Sequence, residues 1–174
     1  AQIERRQRTE SAFRRSEERF RTVANFAHDW EYWIGPEGNY LYSSPSCQRI
    51  TGYASEDFED DPRLLQKMTH PQDRERLEEH FQKEREEAEA HSLDFRIRTR
   101  SGEERWINHV CQQVHDRDGN WLGWRGSNRD ITGRREAELE REELLQRADR
   151  DRRRIEELVR ALQQERDRLE TIME

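Results

Sequence analysis

Leu93-Asp94-Phe95-Arg96-Ile97-Arg98-Thr99 decides how this chain folds. Apolar and polar residues alternate along it with a period of two. That is the pattern of a strand with one face on a core and the other in water. Ser101-Gly102 turns the chain into a second strand at about 104–115. Asp116-Arg117-Asp118-Gly119-Asn120 turns it again into a third, at about 121–131. Three strands joined by short turns predict an antiparallel meander.

Upstream, Trp30–Ile34 and Tyr40–Ser43 flank Gly35-Pro36-Glu37-Gly38-Asn39, a turn by its residue types, and predict a hairpin. Ser44-Pro45 opens a short helix that runs to about Thr51, where Gly52 is a natural stop. Short helical turns are expected at Ser55–Phe58 and Pro62–Met68. A longer helix is expected from Pro71 to about residue 89, with Leu77 and Phe81 one turn apart. The order β-β-α-α-α-β-β-β predicts an α+β domain built on one antiparallel sheet.

The flanks differ in kind. All five Trp and all four Tyr lie between Trp30 and Trp124, and the ends are rich in Glu and Arg. The expected division is an N-terminal linker helix over 1–25, a domain over 26–132 and a C-terminal helix over 133–174. Ile3, Phe13, Phe20, Val23 and Phe26 give the first helix an apolar stripe. After Gly133 there is no Gly or Pro. Leu144, Ala148, Ile155, Leu158, Leu162, Leu169 and Ile172 continue a heptad that starts at Ala137. Arg141, Asp151 and Glu165 fall on the same seam, so an imperfect dimeric coiled coil is expected. A lone helix laced with i,i+4 ion pairs is the alternative.

The net charge is −7, with the two signs interleaved. This argues against nucleic acid, which calls for a basic stripe. No apolar run approaches the ~20 residues of a membrane span, and no signal peptide is evident. No direct membrane contact is expected, although a parent protein can be membrane-anchored. Cys47 and Cys111 stand alone without a CxxC pattern, which points to reduced thiols and a cytoplasmic setting. Gly-rich phosphate loops, Gly-x-Ser-x-Gly and His-Glu-x-x-His are missing from the sequence, so no catalysis is expected of this chain.

The C-terminal half carries a family resemblance. Asp94-Phe95-Arg96-Ile97-Arg98, Ser101-Gly102-Glu103-Glu104-Arg105-Trp106-Ile107, Asp116 to Gly119, and Gly126 to Asp130-Ile131-Thr132 occur in an order and spacing similar to the PAS family in its PAS plus PAC form. Ser44-Pro45, Ile50-Thr51-Gly52-Tyr53 and His70-Pro71-Gln72-Asp73-Arg74 extend the resemblance over about 16–135. It implies a five-stranded antiparallel sheet with helices on one face and a pocket between them. It further implies a bacterial signalling protein whose output domain is a histidine kinase or a diguanylate cyclase. The helices at 18–23 and 165–172 both resemble the lead-in to such a core. A second core is therefore expected after residue 174, with two similar charged helices as the alternative.

On family geometry, the pocket takes Tyr32, Ile34, Phe95, Ile97, Ile107, His109, Cys111, Trp124 and Asn128 from the sheet. Cys47, Ile50 and Phe81 come from the helices, with Leu65 and Leu77 beside them. Trp33, Trp106, Val110 and Val114 would then face outward and need a cover. Asp130, Ile131 and Thr132 form the junction that relays change to the output helix, with Thr132 a candidate helix cap. The resemblance leaves the cofactor open. Asp61-Pro62-Arg63-Leu64-Leu65-Gln66 matches the flavin-adduct motif of photoreceptor members, but Pro62 stands where the cysteine belongs. His80 lies on the long helix beside Phe81 and off the haem position. No metal is expected, because His109 and His115 are ~20 Å apart along the strand. The functional expectation is a module that binds a small ligand or partner and signals through a homodimeric coiled coil. The alternative is a ligand-free module that only dimerises and spaces its neighbours.

Overall fold

The computed structural model describes residues 27–86 and 90–173, together with Arg14, Glu18, Thr22 and Val23. Strands β1 (Trp30–Ile34) and β2 (Tyr40–Ser43) form the first hairpin. Helices α1 (Ser46–Thr51), α2 (Ser55–Asp60), α3 (Leu64–Met68) and α4 (Arg74–Glu86) follow, with a 3₁₀ turn at Pro71–Asp73 leading into α4. Then come β3 (His91–Arg98), β4 (Glu104–His115), β5 (Trp121–Asp130) and helix α5 (Thr132–Met173). The five strands make one antiparallel sheet in the order β2-β1-β5-β4-β3.

Most elements start and stop where the residues require. α1 ends on Gly52 at φ 81°, whose N–H donates to Gln48 O, the left-handed cap that glycine adopts without strain. β3 begins at His91, two residues before the alternation is readable, because β4 is long enough to pair with it there. The helix expected from Pro71 opens as a 3₁₀ turn, and the expected residues 87–89 lie outside the described part. So does nearly all of the N-terminal linker helix, of which Arg14, Glu18, Thr22 and Val23 are helical.

The core sits between the sheet and α1–α4. Trp30, Tyr32, Phe58, Phe95, Ile97, Ile107, Leu77 and Ile50 are all essentially buried. Trp30 and Phe58 rings lie 4.5 Å apart, within the range of favourable aromatic pairs. Asp73 fastens the helical layer to the sheet. Its carboxylate accepts from Arg96 N at 2.9 Å, Nε at 2.8 Å and Nη2 at 2.9 Å. That buried, forked ion pair supplies a physical reason for the His70-to-Arg74 motif. Arg96 holds the Asp73 carboxyl below the ordinary carboxylate value.

The chain divides into two units, 1–132 and 133–174. The second is helix alone. Leu144, Ile155, Leu158, Leu162 and Leu169 are between 53% and 70% exposed, and Ala148 is exposed as well. Arg134–Glu138 at 2.8 Å and Arg153–Asp149 at 3.2 Å are i,i+4 pairs. Among the described residues no helix is long and apolar enough to cross a membrane.

Candidate functional site

Antiparallel register determines which side chains share the inner face of the sheet. Trp30 pairs with Asn128, and Asn128 with His109, which pairs with Leu93. One row over, Tyr32 pairs with Gly126, Gly126 with Cys111, and Cys111 with His91. Directly paired residues point to the same side. Gly126 is needed in that row, since a Cβ there would meet the Tyr32 ring at 2.2 Å. The ring lies across the glycine and brings Tyr32 Oη to 3.5 Å from His109 Nε2.

Tyr32 forms one wall of a cavity of about 700 Å³. Ile34, Phe81, Cys111 and Trp124 line it too, with Pro36–Asn39 of the hairpin turn and Asp61, Pro62, Arg63 and Gln66 around α3. Five of the residues expected in the pocket are therefore in its wall. Cys47, Ile50, Phe95, Ile97 and Ile107 are instead packed in the core cluster, as are Leu65 and Leu77. The cavity opens beneath the β1–β2 turn, and the part of the sheet under α1 is closed by apolar packing. His109 and Asn128 are fully buried and bonded to each other, Nδ1 to Oδ1 at 2.8 Å. The expected outward set holds as geometry: Val110 is 37% exposed, and Trp33, Trp106 and Val114 are half-buried.

The wall around α3 is formed by residues outside the expected pocket set. The stretch 61–66 aligns with the flavin motif, and its last residue, not only its missing thiol, is the signal for this wall. Its Gln66 lines the cavity with Oε1 buried and without a hydrogen-bond partner. A buried amide oxygen without a donor is costly unless something else supplies one. Pro62 brings no thiol to the wall; Cys111 does.

Burial sets the electrostatics. Burial pushes His109 down to about 4, the hydrogen bond that Nδ1 donates to Asn128 Oδ1 opposing that shift and the nearby His80 adding to it. His80 is lowered as well, by burial first and by His91 and Lys83 after it. Both imidazoles are neutral at pH 7.

The junction at the end of β5 is densely bonded. Asp130 Oδ1 accepts from Thr132 N at 2.9 Å, and Oδ2 lies 3.4 Å from Arg105 Nη1. Arg105 Nη1 also donates to Arg49 O and Ile50 O at the end of α1, at 3.0 and 3.1 Å. Thr132 Oγ1 accepts from Trp106 N at 2.9 Å, and Ile131 N donates to Trp106 O at 2.9 Å. The hydroxyl expected to cap the helix is thus engaged with β4, and the Asp130 carboxylate takes the cap. Asp130 is half-buried and reaches both the helix start and an arginine that ties down α1.

The PAS fold family matches residues 40–128. An uncharacterized protein, y4lL, of Sinorhizobium fredii is 31% identical over 139 residues, covering 80% of this chain and 17% of that protein. The chain therefore spans less than a fifth of the curated relative it matches. A sensory box histidine kinase/response regulator of Burkholderia thailandensis superposes with a TM-score of 0.55 at 28% identity, over 74% of this chain and 98% of that one. The N-terminal domain of a diguanylate cyclase with PAS/PAC sensor from Marinobacter aquaeolei gives 0.56 at 22%, over 62% and 98%. A PAS domain from Colwellia psychrerythraea gives 0.57 at 19%, over 67% and 97%. With the sheet order, the helical layer and the family match in agreement, the chain belongs to the PAS family, and its fold is that of the sensor domains found in histidine kinases and diguanylate cyclases.

Proposed function

We propose that this chain is a non-catalytic sensory module that binds a small ligand in the cavity beneath the β1–β2 turn and passes the change to a dimeric α5. The observation that carries the proposal is the unpartnered, buried Gln66 Oε1 in a cavity wall that also carries Tyr32, Ile34, Phe81 and Trp124. A few placed polar groups in an apolar wall are the usual make-up of a ligand site. The preferred ligand is flat and largely apolar, with a donor for Gln66. Trp124 lies on β5, so a ligand against it bears on the strand that ends at Asp130. From there the Asp130–Arg105 pair and the Asp130–Thr132 cap connect the strand to α5. Exposed Leu144, Ile155, Leu158, Leu162 and Leu169 support pairing with a second copy. A histidine kinase or diguanylate cyclase further along a parent chain is the fitting output.

The test is ligand extraction from the natively purified chain, followed by mass spectrometry and a thermal-shift screen of metabolites. A bound species, or a melting temperature that rises with ligand concentration, is expected. The rise should vanish in Gln66→Leu, which removes the acceptor at similar volume. Repeated extraction without a bound species, and a flat screen, would make this a ligand-free spacer that serves dimerisation alone.

A further inference from the structure

We propose that His80, His109 and Cys111 form a binding site for a borderline-soft divalent metal ion, zinc first of all, with its fourth position turned toward the cavity. The three come from two elements. His80 is on α4, and His109 and Cys111 are successive inner-face residues of β4. All three are buried, at 7%, 0% and 3% exposure. One donor atom from each lies within 4.8 Å of the others, and His80 Nε2 is 3.9 Å from Cys111 Sγ. Zinc bonds of about 2.0–2.1 Å to nitrogen and about 2.3 Å to sulfur place tetrahedral ligand atoms about 3.3–3.6 Å apart. The cluster therefore needs to close by up to about 1.5 Å, within reach of side-chain adjustment.

The donors are chemically prepared. Asn128 Oδ1 faces His109 Nδ1 at 2.8 Å, so Nδ1 carries the proton and Nε2 the lone pair. A metal-bound histidine commonly donates its far N–H to such an oxygen, which fixes ring and tautomer. Burial keeps both imidazoles neutral. The Cys111 thiol would release its proton to solvent on binding and enter as thiolate. Two imidazoles and one thiolate select zinc over magnesium or calcium, which take oxygen donors. Three protein ligands leave a position for water or another small ligand. Cys111 and Tyr32 both line the cavity, and Tyr32 Oη lies near His109 Nε2, placed to hydrogen-bond whatever takes that position.

This inference does not rest on the small-ligand proposal, because metal binding is measured without any organic ligand. The experiment is a cobalt(II) titration of the chelator-treated full chain under reducing conditions, followed by zinc competition. One equivalent of cobalt should give the intense visible bands of a tetrahedral site and a thiolate-to-cobalt charge-transfer band, both bleached by zinc. Cys111→Ser should lose the charge-transfer band, while Cys47→Ser keeps it. Asn128→Ala should weaken zinc binding about 10–100-fold. No thiolate band in the folded wild-type chain, or the same band in folded Cys111→Ser, overturns the site. If Cys111→Ser does not fold, X-ray absorption of the wild-type zinc complex decides: one sulfur and two imidazole ligands support the site, and a sulfur-free shell refutes it.

Discussion

Phe95, Ile97 and Ile107 on the inner face of the sheet are fully buried, whereas Leu144, Ile155, Leu158, Leu162 and Leu169 along α5 remain more than half exposed. Both sets repeat at the period of their own element. What separates them is whether this chain supplies the opposing surface. The sheet meets α1–α4 within residues 26–132 and encloses its own core. The helix leaves its apolar seam exposed. Periodic apolar residues therefore enclose a core in one region and stay on the surface in the other, where the proposed second copy would cover them.

The difference is measurable as sensitivity of the sheet domain's unfolding. Phe95→Ala should remove about 3–5 kcal/mol, since it opens a cavity in a packed core. Leu158→Ala should change the same transition by less than about 0.5 kcal/mol. Denaturant titration followed by Trp fluorescence reads the sheet domain, where all five Trp lie. Equal losses for the two substitutions would break the contrast.

Acid should act on the core next. His109 is held at about 4 by burial, against about 6.5 in an unfolded chain. Below 6.5 the unfolded state binds the proton and the folded state does not, so folding weakens as pH falls. The contribution is complete above pH about 6.5 and lost progressively toward 4, amounting to about 3 kcal/mol. His80, lowered in the same direction, adds to the slope. With chelator present, His109→Gln should flatten the stability profile in that window. An unchanged profile would mean that protons enter elsewhere.

At the boundary between the regions, Asp130→Ala removes the carboxylate that accepts from Thr132 N and pairs with Arg105. The expected cost is about 1–2 kcal/mol. Asp130→Asn keeps the capping oxygen and should lose less. If Asn and Ala cost the same, the ion pair outweighs the cap.

These regions were not equally legible in the sequence. The five strands were readable because alternation in 93–99, two Gly-containing turns and the aromatic hairpin are local signals. The long helix α5 was readable for the same reason. The site was only partly so. Strand parity placed Tyr32, Ile34, Cys111 and Trp124 on the inner face, and they line the cavity. Parity cannot say where along that face the helices press and where they stand off. Phe95 and Ile107 were therefore expected in a pocket and lie in packing instead. Nor can it bring two elements together: His109 and Cys111 were visible as a pair, but His80 joins them only through the seating of α4. The Asp73–Arg96 fork that helps to set this seating spans 23 residues of sequence.

The smallest effect on the sheet domain, and the sharpest test of what α5 is for, comes from its charged seam. Asp151 and Glu165 occupy heptad positions where a stable coil would place Leu. In a paired coil each faces its own copy, which sets like charges together and removes them from water. In such a coil that cost would keep the dimer weak and leave a second helix register close in energy. Replacing both with Leu should tighten dimerisation by about tenfold or more, since each substitution buries a large apolar side chain. The sheet domain should unfold within about 0.5 kcal/mol of its usual value. Sedimentation over a concentration series reads the first quantity and denaturant titration the second. In a parent protein the same substitutions should hold output at one level whatever occupies the cavity. A dimer no tighter than wild type would return α5 to a solitary helix held by its ion pairs. A tighter dimer with regulation intact would place the switch at Asp130–Thr132, upstream of the seam, and leave the charged positions to set the dimer's strength alone.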